Sequence, residues 1–347
     1  MKQCVPCLIL FVVVGITISS CNKSSTQADN TIGNWVTRST FDGVGRNGAI
    51  TFTIGDTAYV GTGYGGNALT GGTAQLGDMW KYDVDHNYWI QRASLPTGAG
   101  RREAVAFSTS TKGYITTGYD GVNKLKDTWE FDPSQNAWTK KADFPGAPRV
   151  DAVAFGLNNK GYVTTGNDNT NTDVKDFWMY DPATDAWTQK TSLGGTKRSG
   201  ATSFVYNNQA YVVGGTNGGA AVTDFWMYDP TADKWTEKRA VANLSTDTYD
   251  DSYGTLISRS GAVAIVIGDK AYLCTGILGG ALQKSVWQYD FATDLWVVRT
   301  PWEGLARTQA IGFTLKNRGF LGLGKDNTYY FDDFREFLPT ETYDAND

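Results

Sequence analysis

The 347-residue chain has a single histidine, His86, and four cysteines, three of which (Cys4, Cys7 and Cys21) fall at its N-terminus. One histidine argues against zinc held by histidines and against Ser-His catalysis. Cys274 is the only thiol in the expected folded part, so no intrachain disulfide is expected. Inside an apolar run, that thiol reads as a small buried side chain. Positive charge is also scarce. Lys and Arg total 31 against 36 Asp and Glu, giving a net charge of −5. A nucleic-acid binder would need a broad basic surface, so none is expected as a partner.

What the chain has in quantity is glycine and aromatics: 40 Gly, 12 Trp, 18 Tyr and 16 Phe. The stretch Arg198 to Trp235 shows how they are used. An apolar run, Ala201 to Tyr206, meets the tight turn Asn207-Asn208. A second run, Ala210 to Val213, ends on Gly214-Gly215. After a polar loop come Asp224 to Pro230, a short turn and Trp235. That order predicts a four-stranded antiparallel sheet.

The unit recurs. Arg46, Arg101, Arg149, Arg198, Arg259 and Arg307 each have Ala three residues on and Phe or Ile six on. Tyr or Phe follows thirteen residues on, and Gly seventeen on. Four strands repeating about every 50 residues predict a propeller, whose blades cover one another's faces. The last unit lacks a Trp strand, and Trp35 precedes the first Arg. The N-terminal strand is therefore expected to complete the sixth blade, with Tyr329 at the place that Trp80, Trp129, Trp178, Trp226 and Trp287 take in the others.

The expected fold class is all-β, a six-bladed propeller over 34–339 with an acidic, frayed tail over 340–347. Residues 1–20 read as a secretory leader, with Lys2 ahead of the apolar run Val5 to Ile18. Ile18-Ser19-Ser20-Cys21 resembles the bacterial lipobox, which implies cleavage before Cys21, a diacylglycerol thioether there and a lipid-anchored place in the cell envelope. Residues 21–33 then form a polar tether. The body is expected to be a monomer.

Strand direction puts the six Arg and the loops after each Gly on one face. Six guanidinium groups at the channel mouth predict a pocket for an acidic or hydroxylated ligand, a glycan or an acidic peptide. The expected ligand-binding set is Arg46, Arg101, Arg149, Arg198, Arg259 and Arg307 with Tyr64, Tyr119, Asn167 and Trp302. Glu103, Asp151 and Asp250 are the candidate acids and bases. The loop Lys238 to Ser258 has the length of a lid or mobile segment. The loop Asn167 to Asp173 lacks the acid count, the Gly and the closing Glu of a calcium loop, and no metal or cofactor is expected.

The Gly214-Gly215 pair, the Tyr-Asp-Pro turns and the following Trp are similar to kelch repeats. That resemblance covers 34–339, although Thr62, Thr117, Thr165, Thr275 and Leu323 replace the first Gly in five blades. It is specific for fold and poor for function. The chain resembles galactose oxidase in architecture but lacks the histidines of its copper site. It also resembles N-acetylneuraminate epimerase, a six-bladed periplasmic kelch protein, and that implies a sugar mutarotase as the alternative to a binding module. Kelch adaptors, which bind acidic peptides over the same mouth, imply a third possibility, an interaction scaffold.

Overall fold

A computed structural model of the chain describes Met1 and residues 32–67, 72–254 and 257–347. The leader, Cys21 and most of the tether lie outside the described residues. The fold is nearly all β, with one 3-10 turn at Thr248–Asp250. Six four-stranded antiparallel sheets are present among the described residues. Their innermost strands are Ile50–Ile54, Val105–Ser108, Val153–Leu157, Thr202–Tyr206, Val263–Ile267 and Ile311–Leu315. Each of these lies against the next, and the last returns to the first.

The repeat positions in the sequence are the packing positions. Phe52 and Tyr59 face each other across the first two strands of blade 1 and stack with centroids 5.2 Å apart. Phe107 and Tyr114 do so at 5.1 Å, and Phe204 and Tyr211 at 5.2 Å. Such pairs add roughly 0.5–1.5 kcal/mol each beyond area burial. The neighbouring blade lies close on top of the first two pairs. A Cβ at Gly113 would come within 2.1 Å of the Phe52 ring, and one at Gly161 within 2.0 Å of Phe107. Glycine before Tyr114 and Tyr162 therefore lets blades 2 and 3 meet the preceding blade face to face.

Blade 6 is built from both ends of the propeller. Ile32–Thr37 pairs antiparallel with Phe334–Thr342 and places Trp35 opposite Phe337. Trp35 is fully buried, 4.7 Å from Trp302 and 4.6 Å from Phe337. Two boundaries differ from expectation. The third strand of this blade starts at Phe334 rather than at Tyr329, whose side chain is exposed. Arg335 holds the place that Trp has in the other blades, two residues after the carboxylate that meets the blade's arginine. The strand also runs on to Thr342, and the Asp344 amide donates to Asn34. The first part of the acidic tail is thus ordered.

Candidate functional site

The repeat is built on the six arginines. Each sits four residues before its inner strand, and each is buried to within 1%. The guanidinium groups point into the blades and do not line the mouth. In blade 1 the Arg46 Nη atoms meet both oxygens of Asp78 at 2.6 and 2.7 Å, while Nη1 also donates to the Thr62 carbonyl. Arg101–Asp127, Arg149–Asp176 and Arg307–Asp333 repeat the two-pronged pair, and Arg198 pairs with Asp224. In blade 5, Arg259 donates to the Ser285 hydroxyl at 2.9 Å. Burial pushes Asp78 and Asp127 up, but the arginine hydrogen bonds outweigh it and leave both carboxyls below their usual range. The expected arginine-lined pocket is therefore corrected: these groups tie the third strand and the Gly-marked turn of each blade together. The Asp two residues before each third-strand Trp is the signal that identifies the partner in four blades: Asp78, Asp127, Asp176 and Asp224. In three of them the Trp Nε1 donates to the same carboxylate.

Two residues after each Arg the chain turns to the axis. Gly48, Glu103, Asp151, Gly200, Gly261 and Gln309 all have φ between 51° and 64°. Each amide donates to the carbonyl of the equivalent residue in the preceding blade, from Gly48 to Gln309 at 3.1 Å and on around to Gln309 to Gly261 at 2.9 Å. The six peptides form a closed hoop. A left-handed backbone favours glycine, and three positions have it. The other three hold a polar side chain at a conformation that disfavours one, and such departures cluster at functional sites.

The hoop and the Ala that follows each member enclose a throat of about 160 Å³. Its polar side is formed by Gln309, Glu103 and Asp151. Gln309 Nε2 donates to Glu103 Oε1 at 3.2 Å, and Asn47 Nδ2 donates to Gln309 Oε1. Burial, and then the neighbouring Glu103 carboxylate, push Asp151 up to about 7. Arg102 Nε lies 3.4 Å from Glu103 Oε1. Its guanidinium is clamped between the rings of Tyr64 and Tyr119, at 5.0 and 5.1 Å, and Tyr330 packs edge-on against Tyr64. The opposite side of the throat, Gly200 and Gly261, carries no side chain. A carboxyl pair with one member titrating near neutrality can accept and donate protons to hydroxyls, and the flanking rings offer apolar faces.

Among known proteins, the family model of the kelch motif matches residues 148–194 and 197–239. The chain is a kelch-repeat β-propeller. The solved structure of YjhT is similar to it with a TM-score of 0.67 at 14% identity, covering 88% of this chain and 97% of that one. A likeness at that identity shows the fold alone. No curated protein matches the chain.

The kelch propeller brings together four of the residues expected at its site: Glu103, Asp151, Tyr64 and Tyr119. Asn167 borders them but is locked between Lys124, whose Nζ donates to it at 2.6 Å, and Asp173, to which it donates at 2.9 Å. Two further expectations are corrected. Trp302 is fully buried between blades 5 and 6, with its Nε1 donating to the Leu305 carbonyl. Asp250 is 1% exposed and caps its own loop, accepting from the Leu244 and Ser245 amides at 3.0 and 2.8 Å. That long loop is pinned by buried Val241, Tyr253 and Ile257, and the Tyr253 hydroxyl accepts from the Trp296 amide at 2.7 Å. Its described part is packed wall rather than lid. Arg102 and Gln309 belong to the site and were not expected there. The signal for Gln309 is its departure from glycine at a fixed repeat position.

Proposed function

We propose that the protein is a cell-envelope lipoprotein whose propeller binds a hydroxylated, glycan-type ligand over the polar half of its mouth. The observation that carries this reading is the clamp of Arg102 between Tyr64 and Tyr119, 3.4 Å from Glu103, the partner of Asp151 in the throat. Sugar rings have apolar faces and hydroxylated rims, and a concave site with aromatic walls and a few convergent polar groups suits them. With five of the blade arginines sealed into ion pairs and Arg259 buried against Ser285, the case for an acidic ligand loses its main support, so the reading narrows to neutral, hydroxylated ones. Lipid attachment at Cys21 would hold the mouth at a membrane surface. Mass spectrometry of the purified full-length protein should show an acylated N-terminal cysteine, and an unmodified chain would remove that part of the proposal. A glycan array read with the native protein and with Tyr119→Ala tests the binding. The native chain should retain at least one sugar class, with loss of about tenfold or more in the variant. Binding that is unchanged in Tyr119→Ala would place the ligand elsewhere.

A second reading is favoured by one observation. Asp151 is held near neutrality beside a second carboxyl, which is the pairing that sugar anomer exchange needs: one group to protonate the ring oxygen, the other to take the anomeric hydroxyl proton. Here the protein would be a mutarotase. A coupled assay of anomer exchange separates the two readings. Acceleration that disappears in both Glu103→Gln and Asp151→Asn supports catalysis, and an uncatalysed rate leaves binding alone.

A further inference from the structure

We propose that Gln309 is the positioning residue of the throat: its side-chain amide, oriented by Asn47, bridges Glu103 and Asp151 and holds the two carboxyls as one unit. This deepens the reading above and rests on the throat being the ligand site.

The four residues come from four different blades and meet only because the ring closes. Asn47 belongs to blade 1, Glu103 to blade 2, Asp151 to blade 3 and Gln309 to blade 6. A primary amide has an acceptor end and a donor end, and its orientation decides what it can hold. Asn47 Nδ2 donates to Gln309 Oε1, which commits the acceptor end. Asn47 is 3% exposed, so it has no room to turn away. The Nε2 end must then face the carboxyls, and its two N–H groups suffice for one bond to each. One reaches Glu103 Oε1 at 3.2 Å, and the amide lies near enough to the Asp151 carboxyl to favour its charged form. The reverse orientation would set an N–H of Gln309 against one of Asn47 and an oxygen against two acids.

The bridge has a chemical consequence. The charged groups facing Asp151 are Glu103, Lys124 and Arg102. With Gln309 held between them, the two carboxyls stay adjacent, and Asp151, raised to about 7, keeps its proton up to neutral pH. The pair then offers a donor and an acceptor side by side to whatever enters the throat. A hydroxyl matches that pattern, whereas a ligand carboxylate would meet repulsion.

The test uses the ligand-free protein. The carboxyl carbon of Asp151 is followed by NMR across pH in the native chain, in Gln309→Met and in Gln309→Gly, with Asp151→Asn to assign the signal. Methionine fills the space without donors. Glycine is what three other blades carry at this hoop position, so the backbone is kept. Losing the donor should move the Asp151 midpoint upward in Gln309→Met, by about one pH unit, as expected for a lost hydrogen bond to a charged group. Gln309→Gly should show a smaller rise of the same sign, since water can replace the amide. A residue that merely filled space would change thermal stability and leave the midpoint in place. Midpoints unmoved in both variants would overturn the proposal. Shifted midpoints in a protein that binds no sugar would leave Gln309 in its role and defeat only the ligand reading.

Discussion

Two rings of six residues lie two positions apart in the same chain and behave in opposite ways. The arginine ring is uniform, buried and bound within each blade to Asp or, in blade 5, to Ser285. The hoop two residues later is half glycine and half polar, and its side chains reach the axis. Uniformity across blades marks what every blade needs in order to fold. Departure from the repeat marks what only one place needs. In a chain without symmetry these two kinds of importance look alike, but six internal copies separate them.

The sharpest way to break this contrast is to strip one arginine of its partner. Asp127→Ala leaves Arg101 buried without its carboxylate, and chemical denaturation should show a loss of about 3–5 kcal/mol. Replacing both members, as in Arg101→Met with Asp127→Leu, should recover much of that loss, because the desolvation cost goes with the pair. A loss well below 1 kcal/mol in the single variant would mean that the ring is not the fastener described. Asp151→Asn should behave differently, and its effect depends on pH. The folded-state midpoint of Asp151 is raised to about 7, so the native state holds this proton more tightly than the unfolded chain does. Its stabilising contribution is complete below the ordinary carboxylate range and is lost as pH rises through 7. Thermal melts should show Asp151→Asn gaining on the native protein as pH rises from about 4 to 8, with no gain at the acid end. Asp78 and Asp127 have the opposite sign: their carboxyls are lowered, and the stability they add is lost as pH falls. The smallest effect on folding is expected at the rim. Tyr119→Ala should change stability by no more than about 0.5 kcal/mol, while removing one wall of the Arg102 clamp and, with it, ligand retention.

The architecture was legible because its signals are local and repeated. Phe and Tyr six and thirteen residues after each Arg become a stacked pair, and the missing Trp strand of the last unit pointed to Trp35. The role of the arginines was not legible in the same way. Charge at the start of an inner strand says nothing about which way the side chain turns, and the carboxylate that captures it lies 26 to 32 residues on. The sequence points to Tyr329 for the same reason, since nothing local marks Asp333, which registers the third strand, as Arg307's partner. Glu103 and Asp151 were visible as acids on the mouth side. Their meeting with Gln309 depends on closure of the ring over 206 positions of chain, which no local pattern carries. Asp250 resembled them in composition alone, and a loop of its own consumes its carboxyl.

The pairing of Ile32–Thr37 with Phe334–Thr342 has a consequence for how the protein is made. On the ribosome, the first strand of the wheel emerges before any other and must wait for the propeller's last strand. Until then the outer strand of blade 6 has nothing to pair with, the ring stays open, and Gln309 has no closed hoop in which to meet the two acids. A nascent chain halted a few dozen residues short would hold five finished sheets and no working mouth.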